Sequence, residues 1–109
     1  STPQEVALLD VKRGIKMFDK LGVKILGLVD NMSYFKGDDG KRYNIFGEGC
    51  VKKTAEEFSK KFLGEIPINP EVGKCGDNGK PIVENNLDHE ISKIFLNLAN
   101  EIKSIYLWF

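Results

Sequence analysis

The spacing of hydrophobic residues predicts three amphipathic helices. Within residues 3–21 the apolar residues that recur every three or four positions, and so share one helical face, are Leu8, Val11, Ile15 and Phe18. Thr2 and Glu5 have the spacing of a capping box at the start of this helix, and Gly22 predicts its end. The same periodicity predicts further helices over residues 50–61 and 86–106.

Two short, nearly continuous apolar runs predict buried strands. Residues 23–29 (VKILGLV) follow the first helix, and residues 62–66 (FLGEI) follow the second. Runs of this kind are typical of parallel strands that are covered on both faces. Strands that alternate with helices predict an α/β fold, a parallel sheet with helical crossovers. Because such a sheet usually has more than two strands, we expect the chain to be part of a larger α/β domain.

The segments between these elements are rich in glycine, proline and charge. Residues 33–49 predict either a long loop or a small hairpin that turns at Asp39-Gly40. We expect their aromatic side chains to pin this segment to the body of the protein. Residues 67–81 contain several prolines and glycines and predict a loop without regular structure.

Composition and charge disfavour several classes of protein for this chain, including nucleic-acid-binding, membrane-spanning and disulfide-rich proteins. The 109 residues carry 16 basic and 16 acidic side chains, so the formal net charge is 0. Nucleic-acid-binding proteins normally carry a basic excess, so we expect no nucleic-acid partner. No apolar run approaches the ~20 residues that a bilayer requires, so we expect no membrane partner and a cytoplasmic location. The distant Cys50 and Cys75 predict no disulfide framework.

Several residues that could indicate catalysis or metal binding do not match the motifs that these functions require. Gly40-Lys41 and Gly79-Lys80 do not fit the G-x-x-x-x-G-K-[ST] pattern of a phosphate-binding loop. The single histidine, His89, has no second histidine or cysteine near it in the sequence. We therefore predict no metal site and no catalytic residue within the chain.

The residues that follow the two predicted strands are better candidates for a binding site. In open parallel sheets, ligands bind beyond the carboxyl ends of the strands. Asn31 follows the first strand, and Pro67 and Asn69 follow the second. An asparagine amide offers a donor and an acceptor, which matches the paired donor and acceptor on a purine edge. Because asparagine and proline also terminate strands, the pattern alone leaves a purely structural interpretation open.

Five segments of the chain form a specific combination. They are STPQEVAL from residue 1, DNMSYF from residue 30, IFGEG from residue 45, FLGEIP from residue 62 and GKPIV from residue 79. In order and spacing they resemble the C-terminal half of the Mrp/NBP35 (ApbC) family, over residues 1–85. Members of that family are MinD/ParA-like P-loop ATPases that carry or assemble iron–sulfur clusters.

The resemblance implies a fold, ligands and partners. Residues 1–109 would be the C-terminal portion of an Mrp-type ATPase domain, with the P-loop NTPase fold but without its phosphate-binding half. Asn31 would hydrogen-bond the adenine of ATP, and Pro67 and Asn69 would lie in the loop that closes over the base; the family commonly has Asp at position 69. The resemblance also implies a homodimer with ATP between its subunits, and iron–sulfur apo-proteins as partners.

Two departures from the family pattern limit these expectations. The family's phosphate-binding loop, switch segments and magnesium aspartate precede the matching region, so ATP with magnesium is expected only in a full-length chain. Residues 1–109 alone are expected to show no ATPase activity. Many members carry Cys-x-x-Cys directly after Ser-Tyr-Phe, whereas this chain has KGDDG over residues 36–40. Because oxygen ligands and lysine replace thiolates poorly, the usual iron–sulfur cluster site is absent from the sequence.

The sequence leaves more than one function open. The leading hypothesis is the C-terminal part of an ATP-binding iron–sulfur cluster carrier, which supplies adenine-side contacts and dimer surface. The alternative is a non-enzymatic dimerisation or interaction module that uses an exposed sheet edge. A MinD/ParA-like role in membrane or DNA partitioning is disfavoured, because the last helix lacks a strongly basic face.

Overall fold

The computed structural model describes residues 1–106, which form a mixed sheet with helices packed around it. In chain order the elements are α1 (Glu5–Lys20), β1 (Leu28–Lys36), β2 (Arg42–Tyr43), α2 (Cys50–Glu57), β3 (Phe62–Ile68), α3 (Pro70–Asp77), α4 (Ile82–Asn85) and α5 (Glu90–Tyr106). Strand β1 is central, parallel to β3 and antiparallel to β2. The predicted α/β class is confirmed, and β2 adds an antiparallel strand to the predicted parallel pair. None of the described helices combines the length and apolarity needed to span a membrane.

Two hydrophobic clusters hold the helices in place. The first, between α1, α2 and the start of β1, contains Leu8, Ile15, Leu28, Val51 and Ala55. The second, between α3, α4 and α5, contains Cys75, Ile82 and Ile91. Full burial of a large aliphatic side chain stabilises the fold by about 1.5–3 kcal/mol. These contacts, rather than intrinsic helix propensity, therefore account for most of the helical stability.

Helix α1 ends as the sequence predicts but begins differently. Gly22 has φ +72°, and the N–H of Val23 donates to the carbonyl of Phe18 at 2.9 Å, which is a Schellman ending. The predicted capping box is wrong. The N-cap is Gln4, no side chain caps the helix, and the Thr2 hydroxyl donates to Gln4 Oε1 at 3.3 Å. Thr2 does not cap the helix. The residue before it, Ser1, is hydrogen-bonded to the edge of β1.

The first predicted strand is displaced along the chain. Residues 23–27 form no strand, whereas β1 runs from Leu28 to Lys36, well past the predicted end. The pairing of β1 with β3 begins at Leu28 and continues to Phe35. The apolar run therefore located the strand only approximately, because Val23 is 48% exposed and the pairing starts further along the chain, at Leu28. The second predicted strand is confirmed over residues 62–66, and β3 continues to Ile68.

Residues 33–49 contain the predicted hairpin. Strand β2 pairs with the end of β1, and Gly40 adopts φ +78° in the connecting turn. The Arg42 guanidinium carbon lies 4.1 Å from the centroid of the Tyr34 ring, and Arg42 Nη2 lies 2.7 Å from Glu65 Oε2. These contacts fasten the hairpin to β3. The expectation that aromatic residues pin this segment holds for the half-buried Tyr34, whereas Tyr43 is 45% exposed.

The predicted loop over residues 67–81 is wrong, because this segment contains α3. Asn69 is its N-cap, with Asn69 Oδ1 accepting the N–H of Glu71 at 2.9 Å, and Pro70 occupies the first turn. Gly79 has φ +71° just beyond the helix end. The prolines and glycines that suggested a loop are signals for the two ends of a short helix. The last helix also begins later than predicted, at Glu90, because residues 86–89 form a turn in which the N–H of His89 donates to the carbonyl of Asn86 at 3.2 Å.

Ser1 extends the sheet on the side of β1 opposite β3. Its amino group donates to the carbonyl of Val29 at 3.0 Å, and the N–H of Asn31 donates to the carbonyl of Ser1 at 2.6 Å. This pair of hydrogen bonds is the pattern of a parallel bridge. The backbone of Asn31 is therefore held from one side by Ser1 and from the other by β3.

Candidate functional site

A cleft of about 310 Å³ lies at the carboxyl end of the parallel strand pair. It brings together the three residues that the sequence singled out, which are Asn31, Pro67 and Asn69. Ile66 and Phe95 are among the apolar residues that form the rest of its lining. In open parallel sheets this end of the strands is where ligands bind, so the cleft is the candidate binding site.

Pro67 makes the strand pairing irregular at the cleft. It is buried within β3 and has no N–H to donate to the ladder. Opposite it, β1 pairs at Asn31 and next at Phe35, so three β1 residues lie beside one residue of β3. This bulge places Met32 at φ +53°, a conformation that few residues other than glycine adopt. Apart from the proline itself, no residue pattern indicated this bulge.

Asn31 presents an exposed side chain at the cleft. Its Oδ1 accepts the backbone N–H of Met32 at 3.0 Å. An amide oxygen has two lone pairs and an amide nitrogen carries two hydrogens. The side chain can therefore still donate to one ligand atom and accept from another.

Asn69 has a structural role as well as its place at the cleft. Because its Oδ1 caps α3, the helix fixes the position of this side chain. An aspartate would provide the same cap, so the helix end does not depend on which of the two residues is present. The Nδ2 group of Asn69 is the part of this side chain that an aspartate would lack.

A buried polar pair lies directly beside the cleft residues of β1. Asp30 and Ser33 are each 2% exposed, and the Ser33 hydroxyl donates to Asp30 Oδ2 at 2.9 Å. Asp30 Oδ1 has no hydrogen-bond partner among the described residues. Burial raises the pKa of Asp30 and nearby Glu65 adds to this effect, while the Ser33 hydrogen bond and the Arg42 charge oppose it. Sequence reasoning missed this pair, although a carboxylate directly after a buried apolar run was an available signal.

The thiols and the histidine do not form a metal site. Within residues 1–106, no group of three or more His, Cys, Asp or Glu side chains is placed to hold a metal ion. Cys50 packs against the first hydrophobic cluster, and Cys75 is buried in the second, where its Sγ accepts from Asn85 Nδ2 at 3.7 Å. His89 Nδ1 accepts the N–H of Ile91 near the start of α5. The described donor set therefore does not fit an iron–sulfur cluster within one chain.

Comparison with known protein families shows which family this chain belongs to. The ParA-type model described as the NUBPL iron-transfer P-loop NTPase matches residues 1–103. The chain belongs to this family. The resemblance found in the sequence is confirmed, because the family model is described as an iron-transfer P-loop NTPase and the curated relatives below are named iron-sulfur cluster carrier or transfer proteins.

Curated relatives are similar along nearly the whole chain. The iron-sulfur cluster carrier protein of Aquifex aeolicus is 42% identical over 106 residues, covering 96% of this chain and 29% of the relative. The iron-sulfur cluster transfer protein NUBPL of Dictyostelium discoideum is 44% identical over 103 residues, covering 94% and 32%. The chain thus spans about a third of the length of the curated relatives that it matches.

Solved structures confirm the P-loop NTPase fold. A nucleotide-binding protein from Archaeoglobus fulgidus, solved in complex with ADP, is 36% identical with a TM-score of 0.62, covering 73% of this chain and 33% of that one. The cell division ATPase MinD of Pyrococcus furiosus has a TM-score of 0.75 at 24% identity, covering 96% and 40%. The second likeness concerns the fold alone, and it agrees with the predicted MinD/ParA-like class.

Proposed function

We propose that this chain forms the adenine-binding side of an ATP-binding iron–sulfur cluster carrier. The observation that carries the proposal is the meeting of Asn31, Pro67 and Asn69 around one cleft at the ligand-binding end of the sheet. The proposal is supported by the ADP complex of the Archaeoglobus fulgidus protein and by the names of the curated relatives.

The cleft has the chemistry that an adenine requires. Beside the buried Pro67, the partly exposed Ile68 and Val72 offer apolar surface for the face of the ring. The Asn31 amide offers a donor and an acceptor for its edge. The sequence contains no G-x-x-x-x-G-K-[ST] loop, so these residues address the base and not the phosphates. Under the proposal, residues 1–109 are the C-terminal portion of the ATPase domain, and magnesium binding and hydrolysis require the complete gene product.

The proposal extends to partners and location. We assign to the complete gene product a homodimer with ATP between subunits, delivery of clusters to iron–sulfur apo-proteins, and a cytoplasmic location. The chain would contribute part of the dimer surface. Because residues 36–40 (KGDDG) replace a thiolate pair and the two cysteines pack into different clusters, we assign no cluster ligand to this chain.

The proposal is tested by Asn31→Ala in the complete gene product. Loss of the hydrogen-bonding partner of the base should weaken ATP binding by about 1–3 kcal/mol, or roughly 5-fold to 150-fold. Isothermal titration with Mg-ATP measures the change, and thermal unfolding checks that the variant is folded. The matched control is Asn100→Ala, the same substitution at an exposed site on α5, which should leave the affinity unchanged. Equal affinities of the parent and of Asn31→Ala for ATP would contradict the assignment.

A second candidate function is a non-enzymatic dimerisation or interaction module. The observation in its favour is the parallel bridge at Ser1, next to a groove of about 310 Å³. That groove lies between α1 and the segment before β1, and its lining includes the apolar Val11, Phe18 and Ile25. Light scattering combined with isothermal titration of Mg-ATP discriminates the two functions, because self-association without binding of the nucleotide fits only the second.

A further inference from the structure

The hydrogen bond between Asp30 and Ser33 spans the two cleft residues of β1. Asn31 and Met32 are the only residues between its two ends, and both line the cleft. The bond joins two side chains that are each 2% exposed. It therefore closes a short loop within the strand through a buried hydrogen bond, and this loop carries the exposed amide of Asn31.

Among the described residues, the other contacts of this part of β1 are the hydrogen bond from the Met32 N–H to Asn31 Oδ1, at 3.0 Å, and the backbone pairing of Asn31. The backbone of Asn31 is hydrogen-bonded to Ser1 and pairs with β3, but the ladder with β3 resumes only at Phe35. Within that gap Met32 has φ +53°, which is unfavourable for a residue with a Cβ. Such conformations persist only where the surroundings impose them, and they concentrate at binding sites.

We propose that Asp30 and Ser33 are positioning residues, whose hydrogen bond holds the bulge and thereby orients the Asn31 amide for adenine rather than guanine. This inference rests on the proposed function, since it concerns the same cleft. Adenine and guanine present different donor and acceptor patterns on their edges. An amide held in one orientation distinguishes these patterns, whereas a mobile amide can rotate to satisfy either base.

The experiment compares three variants of the complete gene product. Ser33→Ala removes the hydroxyl donor. Asp30→Asn is the conservative variant, because its amide oxygen can still accept from Ser33. Ser92→Ala is the matched control. Ser92 is also buried, at 0% exposure, but it lies away from the cleft. Its hydroxyl donates to the carbonyls of Ile82 and Asn86. For each variant the dissociation constants of Mg-ATP and Mg-GTP are measured, together with thermal unfolding.

We expect Ser33→Ala to weaken ATP binding about threefold to tenfold and to lower the preference for ATP over GTP. Asp30→Asn should stay within about twofold of the parent, and Ser92→Ala should lose stability without a change in nucleotide preference. A folded Ser33→Ala variant with the parent's ATP affinity and ATP-to-GTP ratio would overturn the inference. An equal loss of affinity in Ser92→Ala would also overturn it, because the effect would then be general destabilisation.

The outcome separates this inference from the proposed function. If Asn31→Ala weakens ATP binding and Ser33→Ala does not, the positioning role is wrong and the adenine contact stands. If the parent itself binds no ATP, the proposed function fails, and the positioning role fails with it.

Discussion

At the residue scale, the most distinctive feature of this chain is a pair of polar side chains at buried positions of strand β1. Strand β1 begins with the buried Leu28 and then carries the sequence Asp-Asn-Met-Ser over residues 30–33, where an ordinary parallel strand would remain apolar. Two of these residues, Asp30 and Ser33, face each other in a hydrogen bond, and the two between them reach the cleft. A buried carboxylate with one unpartnered oxygen is unfavourable for stability, which makes its effect measurable.

The first residue-scale prediction concerns Asp30 and pH. Because burial raises the pKa of folded Asp30 above 3.8, the unfolded chain releases this proton first as the pH rises. The contribution of Asp30 to the stability of the parent therefore falls from about pH 3.8 upward, through the folded pKa. In Asp30→Asn this loss is absent, so the variant should gain stability relative to the parent between pH 3.8 and neutrality.

Denaturant unfolding of the parent and of Asp30→Asn, at intervals from pH 3 to pH 7, measures this difference. The low-pH end serves as the internal control, because Asp30 is protonated there in both the folded and the unfolded parent. A difference in unfolding free energy that stays constant across the whole range would show that Asp30 does not titrate as its burial requires.

At the scale of elements, short sequence motifs correctly predicted the features whose hydrogen bonds join residues close together in the chain. The end of α1 at Gly22 and the hairpin turn at residues 39–40 depend on nearby backbone groups, and both were predicted. The bounds of the first strand depend on its pairing with β3, and α3 depends on its packing in the second hydrophobic cluster. The predicted strand was misplaced, and the helix was not predicted. Residues 23–27 are apolar without being part of the ladder, and α3 is short enough that its end signals resembled those of a loop.

The element-scale prediction concerns the end of α2. Ser59 has φ +54° at the position after the C-cap, and the N–H of Lys60 donates to the carbonyl of Ala55 at 2.8 Å, completing a Schellman ending. Because glycine adopts this conformation without a Cβ clash, Ser59→Gly should stabilise the protein by about 0.5–1 kcal/mol. Chemical denaturation measures the change. Ser59→Ala is the control and should bring no such gain, because alanine keeps the Cβ; equal gains in both variants would refute the explanation.

At the scale of the whole molecule, the cleft depends on how two hydrophobic clusters place its walls. Strands β1 and β3 provide one side, while α3 and Phe95 of α5 provide the other. Helices α3, α4 and α5 share the second cluster, around Cys75, Ile82 and Ile91. Asn69 caps α3, so the position of this candidate ligand follows from packing that lies outside the cleft.

The whole-molecule prediction tests this second cluster. Ile91 is 2% exposed, and Ile91→Ala should destabilise the protein by about 2–5 kcal/mol through lost burial and a residual cavity. Domains of this size are stable by only about 5–15 kcal/mol, so thermal unfolding should show a large decrease in midpoint. The matched control is Ile45→Ala at a site that is 58% exposed, where the change should stay within about 0.5 kcal/mol. Similar losses at both sites would show that the second cluster is not a core.

The sequence by itself determined the α/β class, the family, the presence of the first and last helices, a hairpin as one of two alternatives for residues 33–49, and the choice of Asn31, Pro67 and Asn69 as candidate ligands. These follow from periodicity and from short motifs, which are properties of neighbouring residues. Only the tertiary structure decided that the three candidates share one cleft, that β1 bulges opposite Pro67, and that Asp30 and Ser33 are buried together. The physical reason is that strand register and burial are set by residues far apart in the chain, which no local pattern contains.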